Sequence, residues 1–205
     1  MNSYTCGQLR LHFQRNPIAA FSPLLQKGFY VEITTGNLQN LLCGICDIKD
    51  EEVRHRIQTV FLNGKPVDDM EKVFVEDGDC LALSAAMPGL VGAVMRSGGV
   101  LAGFRQSISH RPQSARTNPR RGILLIKLFN LLIKELGPRF LQQGILVETD
   151  GIGNLLASIL ETDRGNCKIA QLNADVIDAE ALAKANWPEG PGMMHLKATF
   201  GPSSA

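Results

Sequence analysis

The chain has 205 residues, 44% of them hydrophobic and 20% charged, with a formal net charge of +1. That balance is ordinary for a folded globular protein. It excludes strong global steering toward nucleic acid or an anionic membrane. The length allows one large domain or two small ones.

The start, MNSYTCGQLR, lacks the apolar core of a signal peptide, and the five cysteines are an odd number. Both point to free thiols in a reducing cytoplasm. Charge is unevenly placed. Residues 47–79 hold Asp47, Asp50, Glu51, Glu52, Asp68, Asp69, Glu71, Glu76, Asp77 and Asp79. Residues 100–134 contain no acid and carry Arg105, Arg111, Arg116, Arg120, Arg121 and Lys127.

In chain order, QLRLHFQ alternates as a half-buried strand, and GFYVEITT is a second strand after a turn at Gly28. Thr35-Gly36-Asn37 starts a helix whose stripe is Leu38, Leu41, Leu42 and Ile45. IQTVFLNGKPVDD is a strand entering an Asn63-Gly64 turn. VFVEDGDCLALSAA places a tight Asp77-Gly78-Asp79 turn before another strand.

The same message then recurs. LLQKGFYVEITTGNLQNLLCGI (24–45) is echoed by FLQQGILVETDGIGNLLASI (140–159). LRLHF (9–13) is answered by LLIKL (124–128), Pro23 by Pro138, and FLNGKPVDD (61–69) by QLNADVIDA (171–179). LALSAAMPG (81–89) is answered by MHLKATFGP (194–202). Asp150 stands as N-cap of the second helix, whose stripe is Ile152, Leu155, Leu156 and Ile159. Ala174 replaces the turn glycine, and Glu189-Gly190-Pro191-Gly192 replaces the Asp-Gly-Asp turn.

Strand, strand, helix, strand, turn, strand is the order of a β-grasp, or ubiquitin-like, fold. The expected class is α+β: tandem β-grasp domains, each a mixed sheet with one main helix across it. Residues 1–104 form the first domain with an apolar Gly-rich extension at 88–104, residues 105–121 a basic linker, and 122–205 a diverged second domain.

On the helix after a Thr-containing strand end, VFLNGKPVDD and VEDGDCLALSAAMPG, the first half resembles the small sulfur-carrier proteins of thiamine and molybdopterin biosynthesis. The likeness covers about 90 residues and holds through residue 89. It implies a flexible C-terminal diglycine whose carboxylate is adenylated and converted to a thiocarboxylate. The chain departs from that pattern: Gly98-Gly99 comes several residues late, about a hundred residues follow, and the sequence ends in GPSSA.

The extension PGLVGAVMRSGGVLAGF offers Leu90, Val91, Val94, Met95, Val100, Leu101 and Phe104 as an interface. Arg96 and the glycines argue against a membrane span there. Neither phosphate-loop pattern is present. Cys43-Gly44-Ile45-Cys46 has thiol–disulfide spacing, but Cys43 falls at or beyond the second turn of its helix, away from the dipole that activates such thiols. No second ligand pair completes a metal site with them. The linker lacks an aromatic residue on which bases would stack.

No residue pattern marks catalysis, a metal or a cofactor. The expected function is a non-catalytic interaction or scaffold module with a protein partner, linked by the resemblance to sulfur transfer or cofactor biosynthesis. An adenylating or cofactor-synthesis enzyme is the partner class it implies. The alternatives are a carrier activated by proteolysis after Gly99, and a ligand binder or enzyme with a pocket between the copies. The linker also permits a homodimer by domain swapping.

Overall fold

The computed structural model describes residues 5–47, 55–105, 107–111, 118–162, 165–178, 181–182, 187 and 192–201. The fold is α+β, with mixed β-sheet and several helices. It divides into two compact units: Met1–Phe29 with Gly137–Ala205, and Tyr30–Leu136.

The first half runs β1 (Thr5–Phe13), α1 (Ile18–Lys27), β2 (Phe29–Thr34), β3 (Gly36–Asn37), α2 (Leu38–Cys46), β4 (Thr59–Leu62), β5 (Lys65–Pro66), β6 (Phe74–Val75) and β7 (Cys80–Ser84). A short helix α3 (Gly89–Met95) and a 3₁₀ turn (Val100–Arg105) follow. The second half runs β8 (Arg121–Phe129), α4 (Leu131–Gln143), β9 (Ile145–Glu148), α5 (Ile152–Thr162), β10 (Cys167–Leu172), β11 (Asp175–Ile177) and β12 (Met193–Phe200).

One expectation is corrected. The first two strands of each half are joined by a helix, α1 or α4, and not by a turn. Pro23 and Pro138 lie inside these helices. Packing outweighs the lost hydrogen bond. In α1, Ala20, Phe21, Leu24 and Leu25 are buried, and in α4 Leu132, Ile133, Leu136, Phe140 and Leu141. Asn16 Oδ1 accepts from the Ile18 N–H at 3.1 Å, satisfying one orphan donor at the start of α1. Gly28 then ends α1. Gly137 packs closely on α1: an added Cβ would stand 2.6 Å from Ile18 Cδ1 and 2.7 Å from Leu25 Cδ1, so these side-chain ends would have to shift to admit it.

The cap and hairpin expected in the first half are present. Asn37 caps α2, accepting from the Asn40 N–H at 3.1 Å. Leu38, Leu41 and Leu42 are buried, with Cys46 fully buried and Ile45 half-buried. Asn63 (φ 50°) and Gly64 (φ 75°) turn β4 into β5, the pair of positive φ values that a two-residue hairpin needs. Between β10 and β11 the turn is Asn173-Ala174, of which only Asn173 (φ 56°) has a positive φ.

In the unit Tyr30–Leu136 the strand order is β2-β8-β7-β4-β5. β7 is antiparallel to β4 and parallel to β8, pairing Leu81 with Ile126 and Leu83 with Leu128. β3 and β6 form a separate two-stranded ladder. In the other unit the order is β11-β10-β1-β12-β9, with β1 antiparallel to β10 and parallel to β12. Thus β8, the first strand of the second half, lies beside the last strand of the first half. Conversely β1 lies beside the last strand of the second half. The units therefore do not coincide with the sequence halves, because each takes its parallel central strand from the other half.

Candidate functional site

The segment after β7 carries the candidate residues of the sequence, and it is built rigidly. Pro88 is extended, and α3 follows with Gly92 pressed on the preceding backbone. An added Cβ at Gly92 would fall 1.9 Å from the Met87 carbonyl oxygen, so only glycine fits. Gly98 holds φ +61°, the left-handed region.

The diglycine is pinned and not free. The Ser97 N–H donates to the Gln58 carbonyl at 2.9 Å, and Ser97 Oγ donates to the Val67 carbonyl at 2.6 Å. The Gly98 N–H lies 3.4 Å from Asp68 Oδ1, and the Gly99 N–H donates to the Arg96 carbonyl at 3.1 Å. A carrier tail must thread into an activating enzyme; here the Gly98 backbone already serves as part of a folded wall.

Arg105 closes the arrangement. It was expected to open the solvated linker, yet it is only 3% exposed. Nε donates to the Val94 carbonyl at 2.6 Å, and Nη2 to the Arg96 carbonyl at 3.2 Å. Nη1 donates to Ser109 Oγ at 2.8 Å, and the fork grips Asp68 through 3.1 and 2.7 Å contacts. All five N–H groups of the guanidinium are used. The basic stretch thereby meets the acidic face of the first half at this point. Farther on, the His110 N–H donates to the Pro66 carbonyl at 2.7 Å, and residues 112–117 lie outside the described residues.

Asp68 and its neighbour divide the work. Asp69 accepts from the Glu71 N–H at 3.0 Å, capping the 3₁₀ turn Met70–Lys72, and pairs with Lys72 Nζ at 2.8 Å. The hydrogen bond from Lys72 holds the Asp69 carboxyl below its ordinary range, and Asp69 raises Lys72 in turn.

Between these elements lies a cleft of about 820 Å³. Ile57, Met70, Ala93 and Leu101 give it apolar wall, Asp69, Glu71 and Arg96 give it charge, and Gly98, Gly99 and Val100 border it. All of these residues belong to the unit Tyr30–Leu136. Gln39, Gln58, Asp68 and Ser97 complete its lining, and the Ser97 hydroxyl is already engaged by the Val67 carbonyl.

Beside the cleft the candidate interface residues separate into two groups. Leu90 is 74% exposed, Val91 63%, Val100 100% and Phe104 83%, while Val94, Met95 and Leu101 are half-buried. The Cys43/Cys46 pair lies away from the start of α2: Cys43 is half-buried, Cys46 is the last and fully buried residue, and the two are not joined by a disulfide. Among the described residues no group of three His, Cys, Asp or Glu side chains is disposed to hold a metal, and no helix is long and apolar enough to cross a membrane.

The role of Arg105 was missed in the sequence. Its signal was an arginine closing a strongly apolar run that followed an unpaired-looking Asp68-Asp69. No family model matches the chain, and no curated protein or solved structure matches it.

Proposed function

We propose that this chain is a non-catalytic protein-interaction module, derived from two copies of a β-grasp unit akin to the sulfur carriers, that docks a partner on the α3 and 3₁₀ segment. One observation carries the reading. Of nine exposed large hydrophobic residues among those described, five (Leu90, Val91, Val100, Phe104 and Ile108) fall within residues 90–108. Scattered apolar residues on a surface need no explanation, but a concentration on an ordered support marks an interaction site.

The support itself argues for docking over a solvated tail. A backbone tied down by Ser97, Gly98 and Arg105 presents apolar side chains without the entropy cost of ordering them on binding. The strand order β2-β8-β7-β4-β5, with β8 parallel to β7, supports β-grasp descent of this unit. The partner class that the resemblance implies is an adenylating or cofactor-synthesis enzyme.

The test is co-purification of the tagged full-length chain from its native cells, beside a Leu90→Asp/Val91→Asp variant. A stoichiometric protein partner retained by the wild type and lost by the variant is expected. A wild-type chain that brings down no stoichiometric protein, or a variant that keeps the same one, overturns the proposal.

A further inference from the structure

We infer that the open sheet face of the unit Met1–Phe29 with Gly137–Ala205 binds a phosphate monoester, with the phosphate on Arg10 and Lys197 and the organic part toward Ile169 and Val176.

Strand alternation decides which side chains share this face. In β1 the buried residues are Leu9, Leu11 and Phe13, and Gln8, Arg10 and His12 stand exposed between them. In β12 Leu196 and Ala198 are buried, and Lys197 and Thr199 take the other parity. The parallel register sets Arg10 directly opposite Lys197, on strands about 4.8 Å apart. Like charges so placed destabilise a sheet.

Nothing among the described residues relieves that repulsion. Arg10 Nη2 donates to Gln8 Oε1 at 3.4 Å, and neither Arg10 nor Lys197 has an ion-pair partner there. Elsewhere Arg105, Arg56 and Lys72 each meet a carboxylate. The described strands of this unit carry two acids, and neither is near the cations. Asp175 is opposite Leu172, which is opposite Leu9, so it takes the parity of the core. Glu148 is opposite Met193, four residues along β12 from Lys197, or roughly 13 Å at the rise of a strand.

Two fixed cations suit a dianion. A phosphate monoester carries between about one and a half and two negative charges near neutral pH. The arginine fork matches two of its oxygens, and the lysine ammonium supplies a point charge. A single carboxylate would leave one cation uncompensated. On the next rung His12 Nδ1 meets Thr199 Oγ1 at 3.0 Å, which orients the imidazole beside the pair.

On the side of β1 away from β12 the face turns apolar. Gln171 is opposite Arg10, Val176 is opposite Gln171, and Ile169 is opposite His12. Val176 is 75% exposed and Ile169 53%. One exposed apolar side chain needs no explanation, but two beside an uncompensated cation pair fit the body of a ligand whose charged end is held there.

The experiment is an amide NMR titration of the full-length chain with inorganic phosphate and with phenyl phosphate, at constant ionic strength. Shifts centred on Arg10 and Lys197 are expected for both, with further shifts at Ile169 and Val176 and tighter binding for phenyl phosphate. Arg10→Gln and Lys197→Gln should each weaken both by about tenfold, the scale of one charge-assisted hydrogen bond. Ile169→Ser/Val176→Ser should remove the advantage of phenyl phosphate and leave the affinity for inorganic phosphate unchanged. Arg10, Ile169 and Val176 are exposed, so their replacement spares the core, which circular dichroism checks. Phosphate that shifts these amides no more than chloride or acetate, affinity indifferent to both cation variants, or phenyl phosphate no tighter than inorganic phosphate overturns the inference. Each readout is independent of the docking role, whose residues lie in the unit Tyr30–Leu136.

Discussion

Arg105 and Asp68 form a forked ion pair, 2.7 and 3.1 Å, in which the arginine side chain is 2% exposed and the aspartate side chain 34%. Asp68 also faces the Gly98 N–H, so one carboxylate joins the diglycine to the arginine that encloses it. Removing Asp68 leaves a buried cation with only neutral acceptors. Asp68→Ala is therefore expected to destabilise the fold by about 2–4 kcal/mol, toward the low end of what breaking buried pairs costs because Asp68 keeps some solvent. Arg105→Lys retains the charge but cannot reach five acceptors with one ammonium, so it should recover only a minor part. Urea unfolding measures both. Trypsin gives a second view: the bond after Arg105 should resist cleavage in the wild type and become labile in Asp68→Ala.

The glycines of this segment are predicted to differ sharply. Gly92→Ala forces a methyl group into the Met87 carbonyl, 1.9 Å away, and α3 must move as a whole. A loss of at least about 2 kcal/mol is expected, in the range of overpacked sites. Gly98→Ala must hold φ +61° and should lose about 1 kcal/mol. Gly103→Ala meets nothing within 4 Å and should fall within about 0.5 kcal/mol of wild type. Thermal or urea unfolding of the three variants tests the ranking. Equal effects at Gly92 and Gly103 would contradict it.

What was legible in the residues follows from how local each feature is. The α2 cap at Asn37, the Asn63-Gly64 hairpin and the Asp77-Gly78-Asp79 turn are set by neighbours within a few positions, and pattern reading found them. The helices α1 and α4 carried the helical spacing too, in Phe21, Leu24 and Leu25 and in Leu132, Ile133, Leu136 and Phe140. Pro23 and Pro138 stand inside these helices all the same, because tertiary burial outweighs one missing N–H. Strand partnership was not readable at all. Nothing near Leu81 says that it pairs with Ile126, 45 positions away, and nothing near Leu9 points to Leu196. Likewise Arg105 looks like the start of a polar linker until Asp68, 37 positions earlier, is placed beside it.

The carboxyl group of Asp69 should titrate below its ordinary value of 3.8, because the Lys72 ammonium and the Glu71 N–H favour the charged form. The sign follows directly. A depressed folded value means that this contact's stabilisation is present above the ordinary pKa and is lost as pH falls through the folded one. Both side chains face solvent, so the effect on stability is small. The measurement is NMR titration of the Asp69 carboxyl carbon in wild type and Lys72→Ala. The variant midpoint should rise toward 3.8; an unchanged midpoint would show that Lys72 is not the cause.

The exchange of central strands predicts how the chain behaves when cut. The unit Tyr30–Leu136 needs β8 from the second half, whose Leu124, Ile126 and Leu128 are fully buried beside β7. The other unit needs β1 from the first half, where Leu9, Leu11 and Phe13 are equally buried. A site-specific protease sequence placed between residues 111 and 118 would divide the chain into two fragments, neither of which holds all the strands of either unit. Burial of these leucines, isoleucine and phenylalanine contributes about 1.5–3 kcal/mol each, so the fragments have strong reason to stay together. After cleavage they are expected to co-elute at the mass of the intact chain in native buffer and to separate only in denaturant. Fragments that part in native buffer with their circular dichroism unchanged would mean that each half pairs its own strands, and the exchanged arrangement would fall with them.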